Sequence, residues 1–250
     1  MRSRKPSSSP TMSPTPRGRP SALRITRETL LNGKLRSAVR RMLGPGVRLM
    51  THAERQAHIR EVLGAAPQPR RVWVFGYGSL MWNPALRYAE RRAALVHGFH
   101  REFCLLARTG RGSPERPGLM LSLEPGGSCH GVAYRLPANA IEEELDVLWR
   151  REMLTRSYRP VWVAARTAQG IAHAIAFAAN LEHERYRGGL DAETMARYLA
   201  RGAGPLGRCC DYLFDTVAHL RDMGIRDRRM EALAKRVGAL VEHRVRALAP

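Results

Sequence analysis

The sequence predicts an α+β protein: a small, mostly antiparallel sheet or barrel flanked by helices, with a helical N-terminal extension. Three observations predict it. Short apolar runs at 71–75, 92–97, 100–107, 118–123, 129–136, 158–165 and 171–178 read as strands. Most of these runs follow one another across loops and turns, whereas a parallel doubly wound sheet needs a crossover helix after nearly every strand. Helical stripes lie before, between and after the strands.

The elements can be justified in order. Residues 1–22 are rich in Ser, Pro, Thr and Arg and poor in apolar side chains, so they are expected to form a disordered basic tail. Residues 23–70 read as a helical extension and linker. Leu30, Leu31, Leu35, Val39 and Met42 recur at helical spacing and predict one helix ending at Gly44-Pro45-Gly46. Thr51 and Glu54 form a capping-box pattern for a second helix that ends near Gly64. Residues 71–250 form the main domain. There, Thr109 to Gly118 reads as a long loop, and Gly126-Gly127 as a turn between two strands. Asn139-x-x-Glu142 is expected to cap a helix whose apolar stripe is Ile141, Leu145, Leu148 and Trp149. Ala168-Gln169-Gly170 predicts a hairpin connection. From Glu193 onward the pattern is helical, with Leu213, Phe214, Val217 and Leu220 on one helix and Met230, Leu233, Val237, Leu240 and Val241 on another.

Composition narrows the function classes. No apolar run approaches the roughly 20 residues needed to span a bilayer, and no apolar stretch follows the charged start as in a secretory signal. The four cysteines, Cys104, Cys129, Cys209 and Cys210, form no C-x-x-C pair and no metal-ligand spacing, which suits a reducing cytoplasm and no zinc site. The net charge of +20 would suggest nucleic acid, but residues 1–70 carry +12 of it (15 Lys/Arg against 3 Asp/Glu). With no nucleic-acid-binding motif, no specific nucleic-acid partner is expected.

Three stretches can carry chemistry. In Val74-Phe75-Gly76-Tyr77-Gly78-Ser79-Leu80 the third glycine of the dinucleotide fingerprint is missing, and Gly-x-Ser-x-Gly is absent as well. Two readings remain: a strand with a glycine bulge, or a nest whose glycines adopt dihedrals closed to other residues and aim backbone N–H groups at an anion or carbonyl oxygen. In the second stretch, Glu152 falls at the end of the 139–152 helix, where the helix dipole and any burial raise a carboxyl pKa. Arg150, Arg151 and Arg156 oppose that wherever they lie close, and an ordinary surface ion pair is the alternative. In the third, Gly202 to Phe214, Tyr212 is either a half-buried aromatic or a hydrogen-bond donor into a pocket. His97, His100, His130, His173 and His183 have no ligand spacing and read as structural or surface groups.

Taken together, these stretches resemble the ChaC family of γ-glutamylcyclotransferases, in its bacterial type. The resemblance rests on Val74-Phe75-Gly76-Tyr77-Gly78-Ser79-Leu80-Met81-Trp82-Asn83-Pro84, Gly131-Val132-Ala133-Tyr134-Arg135-Leu136-Pro137, Leu148-Trp149-Arg150-Arg151-Glu152-Met153, and Gly204-Pro205-Leu206-Gly207 with Tyr212-Leu213-Phe214. It covers about residues 71–225, and the 26–64 helices more loosely. Arg208-Cys209-Cys210-Asp211 departs from the family pattern, where small polar residues are expected.

The resemblance implies a γ-glutamylcyclotransferase-like barrel that splits glutathione into 5-oxoproline and Cys-Gly without ATP, metal or other cofactor. By motif it makes Glu152 the catalytic acid/base and gives the γ-glutamyl group to the loop Val74, Phe75, Gly76, Tyr77, Gly78, Ser79 and Leu80, with Tyr212 contacting the pocket. Arg101, if it points inward, is expected to pair with a substrate carboxylate. The alternatives are ring closure on another γ-glutamyl amine or amino acid, and a non-catalytic basic binding protein. The sequence leaves the oligomeric state open.

Overall fold

Two 18-residue strands dominate the fold, β2 (Glu90–Ala107) and β3 (Gly118–Arg135), paired antiparallel along their length. The computed structural model describes residues 24–43 and 47–247, so the expected tail at 1–22 and the turn at Gly44-Pro45-Gly46 lie outside the described residues. With β1 (Trp73–Gly76), β4 (Tyr158–Thr167) and β5 (Gly170–Ala179) the long strands close a barrel in the order β1-β3-β2-β4-β5. The closure is a parallel contact, Trp73 opposite Ala174 and Val74 opposite Ile175. All other pairings except Leu123 with Ala178 are antiparallel.

Alternation sets the faces. Trp73, Phe75 and Tyr77 join one buried cluster with Ala172, Ala174, Ala176 and Ala178, so large side chains from one end of the sheet meet small ones from the other. Val72 and Val74 face the opposite way, toward Leu145, Leu148 and Trp149 of α4 (Ile141–Glu152) and toward Ile175 and Phe177. The first cluster continues into α5 (Ala192–Arg201), α6 (Cys209–Asp222) and α7 (Arg228–Ala247), the last three helices among the described residues.

Several expectations change. Gly126-Gly127 does not turn the chain around. His97 still pairs with Ser128 and Phe99 with Pro125, so the two glycines bulge out of β3 opposite Gly98. All three have positive φ, which an L side chain resists, and they let one continuous ribbon bend. Asn139 does not cap α4. A turn from Pro137 to Ala140 starts the helix one residue later, with Ala140 at the cap, and Glu142, Glu143 and Glu144 fill the first turn. The first predicted helix divides at Asn32-Gly33 into α1 (Arg27–Leu31) and α2 (Lys34–Leu43). The capping box at Thr51 forms as expected and opens α3 (His52–Gly64), and Ala168-Gln169 makes the hairpin between β4 and β5.

The extension docks on α4. Leu30, Leu35, Val39 and Leu49 share a buried cluster with Val147 and Leu154, and Ile59 of α3 joins the Trp149 cluster. Arg55 pairs with Asp146 at 2.6 Å. No helix among the described residues is long and apolar enough to cross a membrane.

Candidate active site

β1 runs to Gly76, and the chain then turns through Tyr77-Gly78 into a short 3-10 turn at Ser79–Met81. This turn is held from several sides. The buried Tyr134 hydroxyl donates to the carbonyls of Leu80 at 3.0 Å and Met81 at 2.9 Å. Tyr77 donates its hydroxyl to the Phe177 carbonyl. The glycines are needed for space here. Gly76 and Gly78 both lack positive φ. A Cβ on Gly76 would lie 2.9 Å from Leu80 Cβ, and one on Gly78 would lie 2.7 Å from the Tyr212 hydroxyl and 3.2 Å from Leu121 Cδ2. Close approach, not a positive φ, is what calls for glycine at these two positions.

Glu152 is the last residue of α4, at the negative end of the helix dipole, with its side chain 14% exposed. Arg151 Nε lies 2.8 Å from its Oε1. The same guanidinium donates to Ser79 Oγ at 2.7 Å and to the Asn83 carbonyl, so one buried cation joins the carboxylate to the 3-10 turn. Burial pushes the Glu152 carboxyl up from its ordinary value, and Arg151 pulls it down only in part. Burial and the nearby carboxylate keep the surrounding phenols protonated: Tyr77 and Tyr158 are pushed far up, and Tyr212 to about 12. Tyr158 donates to the Leu121 carbonyl at 3.0 Å.

These groups line one cavity of about 170 Å³, walled by Tyr77, Gly78, Ser79, Leu80, Arg151, Glu152, Tyr158 and Tyr212. An acid/base group of raised pKa thus shares a partly dry pocket with hydroxyl donors and a glycine-opened backbone turn. That combination suits proton transfer coupled to stabilisation of a developing oxyanion.

The family description "ChaC-like protein" matches residues 72–240. The chain belongs to the ChaC-like family. It is 39% identical over 207 residues to the glutathione-specific γ-glutamylcyclotransferase of Escherichia coli, covering 81% of this chain and 87% of that protein. It is 29% identical over 180 residues to glutathione-specific γ-glutamylcyclotransferase 1 of Rattus norvegicus, covering 69% and 81%. Its fold matches the crystal structure of a γ-glutamyl cyclotransferase specific to glutathione from yeast, with a TM-score of 0.62 at 23% identity, covering 69% of this chain and 98% of that one.

In this ChaC-like chain Tyr77, Gly78, Ser79, Leu80, Glu152 and Tyr212 come together at one cavity, while Val74, Phe75 and Gly76 do not line it. Val74 and Phe75 are fully buried on opposite faces of β1, in two different clusters, and serve as core. Arg101 is corrected outright. Its guanidinium faces away from the cavity, donating to the Tyr77 carbonyl at 2.6 Å and the His130 carbonyl and pairing with Asp227 at 3.0 Å. It braces the turn from behind. The departing segment Arg208–Asp211 also stays off the cavity wall. Arg208 pairs with Asp211, and buried Cys209 donates its thiol to the Leu119 carbonyl at 2.9 Å.

Sequence reasoning missed Arg151 as the link between Ser79 and Glu152; its adjacency to Glu152 was the available signal. It also missed Arg111 and Arg185, and a wall supplied by the extension: Ile25, Leu35, Val39 and Met42 line the same cavity. Asn83 ties that wall to the turn by donating its Nδ2 to the Ile25 carbonyl at 2.9 Å.

Proposed function

We propose that this chain is a γ-glutamylcyclotransferase that degrades glutathione to 5-oxoproline and Cys-Gly, with Glu152 as general acid/base. The observation that carries the reading is the raised-pKa carboxyl of Glu152 in one cavity with the Gly78-Ser79 turn and the Tyr212 hydroxyl. The names of the E. coli and rat relatives support the choice of substrate. The four cysteines among the described residues are free and buried, which suits a reducing compartment such as the cytoplasm.

The chemistry follows from the parts. Glu152 as carboxylate takes a proton from the α-ammonium of the γ-glutamyl group. The freed amine attacks the substrate's own γ-carbonyl carbon and closes a five-membered ring. Because the attack is intramolecular, holding the folded substrate supplies much of the acceleration. The tetrahedral oxyanion accepts hydrogen bonds from the backbone of the Gly78-Ser79 turn and from Tyr212. As the γ-amide C–N bond breaks, the protonated Glu152 gives its proton to the departing nitrogen of Cys-Gly. The carboxylate so restored takes the second proton from the ring nitrogen and passes it to the freed Cys-Gly amine or to water, leaving a neutral lactam. A carboxyl whose pKa burial has brought nearer to neutrality serves both transfers, so a single Glu suffices. Arg151 keeps Glu152 and Ser79 in register.

The test is release of 5-oxoproline from glutathione by the purified full chain. Glu152→Gln is expected to lower kcat by about 1000-fold, within the usual range for a lost general acid/base, with an unchanged circular dichroism spectrum. Full activity in Glu152→Gln would sink the assignment. Assaying γ-glutamyl amino acids and γ-glutamyl amines alongside glutathione fixes the substrate class.

A further inference from the structure

Three arginines line the cavity, and their commitments differ. Arg151 gives its donors to Glu152, Ser79 and Asn83. Arg111 donates to the Arg208 carbonyl at 3.1 Å and lies over the Tyr212 ring at 5.2 Å. Arg185 is half-buried, and among the described residues its guanidinium makes no ion pair and no hydrogen bond.

The backbone that presents Arg185 is nevertheless fixed. Leu106 N–H donates to the Arg185 carbonyl at 2.8 Å, Arg187 N–H to the Cys104 carbonyl at 2.7 Å, and Tyr186 bridges to Leu105, so this loop lies along the end of β2 like an extra strand. His183 completes the support, with one ring nitrogen 2.9 Å from the Thr155 carbonyl and the other accepting from Arg185 N–H at 3.1 Å. A partly desolvated cation on a rigid mount, facing a cavity and holding no anion, is built to receive one.

Its position separates it from the reacting end. Arg185 hangs from Leu106, which pairs with Leu119 of β3, whereas Gly78 and the Tyr158 hydroxyl meet β3 at Leu121, about 7 Å further along the strand. The anion taken by Arg185 is therefore offset from the group formed by Glu152, Arg151 and Ser79. Glutathione carries two carboxylates. One is on the carbon bearing the attacking amine, which must reach Glu152. The other ends the leaving group, on the glycine.

Resting on the reading above, we infer that Arg185 binds the glycine carboxylate of γ-Glu-Cys-Gly and so sets the preference for a substrate whose leaving group ends in a carboxylate. The experiment compares glutathione with its glycinamide analogue in the full chain, wild type against Arg185→Gln and Arg185→Lys. For glutathione, Arg185→Gln raises KM by about 10- to 100-fold, the span expected for one partly buried charge-assisted pair, with the loss in KM and not in kcat. Arg185→Lys recovers part of it, since it keeps the charge without the planar fork. For the glycinamide the penalty of Arg185→Gln shrinks to less than about threefold, because no carboxylate is there to lose. An unchanged KM for glutathione, or an equal loss on both substrates, overturns the inference. If wild type turns over glutathione and Arg185→Gln matches it, this inference alone fails. If wild type neither binds nor turns over glutathione, the cyclotransferase reading fails and takes this one with it.

Discussion

Helix α4 carries two glutamates whose side chains leave water, and they are opposites. Glu144, in its first turn, is fully buried, yet its pKa is lowered. Burial alone would raise it, but Arg27 and Arg87 clamp both oxygens, at 2.5 to 2.9 Å, and Arg87 adds its backbone N–H. Glu152, in the last turn, has one cation, a cavity on its other side, and a raised pKa. The helix dipole favours the first and opposes the second. A carboxylate with every lone pair satisfied is a fixed anion that holds the extension to the domain. One left short of partners keeps its proton more readily and can exchange it. Burial does not distinguish the two; the number of donors does.

The largest expected break in this comparison is the exchange of roles under mutation. Glu152→Gln costs about 1000-fold in turnover, while its melting temperature at pH 7 equals or exceeds that of wild type, because a buried charge with a raised pKa is removed. The sign follows from linkage. A raised folded pKa favours folding below the unfolded value and loses that benefit as pH rises, so the difference from wild type shrinks in acid. Glu144→Gln is next, and its effect is on stability. It leaves Arg27 with only the exposed Glu143 as an anion, at about 3 kcal/mol, the low end for breaking a buried pair because Glu143 remains and Arg87 can turn to water. Thermal melting should drop by about 10 °C at pH 7. The folded pKa of Glu144 is lowered, so its contribution exists above the unfolded carboxylate pKa and fades as pH falls. The Glu144→Gln gap should therefore also close in acid, from the opposite side. A turnover defect in Glu144→Gln larger than its unfolding explains would break the division of labour.

Arg151 sharpens the same contrast from the cation's side. Arg151→Met removes the one charge that lowers the Glu152 pKa, and with it the hydrogen bonds to Ser79 and Asn83. The acid limb of kcat/KM should move to higher pH, since the free-enzyme base then binds its proton more tightly. At the pH optimum a loss of about 30-fold is expected from misplacing the turn, within the range that small displacements cost. A limb that moves to lower pH would contradict the electrostatics.

What the sequence revealed and what it withheld divide along the same line. The stripe Ile141, Leu145, Leu148 and Trp149 carries its helix to Glu152, because period and length are local properties. The capping box at Thr51 is local too, and it formed. Asn139 fails as a cap because the turn from Pro137 to Ala140 carries the chain one residue past it before the helix begins. Arg101 and Glu144 were beyond reach. The fate of the first depends on Asp227 in the loop before α7, and that of the second on Arg27 in the extension, both far along the chain. Nor does any pattern in 25–43 announce that Ile25, Leu35, Val39 and Met42 wall a cavity; an apolar stripe that faces a pocket reads the same as one that faces a core.

The smallest effect concerns the space that Glu152 has and Glu144 lacks. Gly78 keeps the turn within 2.7 Å of the Tyr212 hydroxyl, measured from where a Cβ would stand; without that oxygen the nearest Tyr212 atom would be the ring Cζ at 3.9 Å. Tyr212 is only 3% exposed and is anchored in α6, so it cannot swing aside. Gly78→Ala should therefore cost turnover by displacing either the turn or the ring. Tyr212→Phe costs a donor but frees the space. In the double variant the added methyl meets no hydroxyl, and the two losses should combine to about 10-fold less than their product, a coupling of about 1.4 kcal/mol. Strict additivity would mean that Gly78 serves the turn's own backbone geometry, and that the approach of Tyr212 follows from the turn without requiring the glycine.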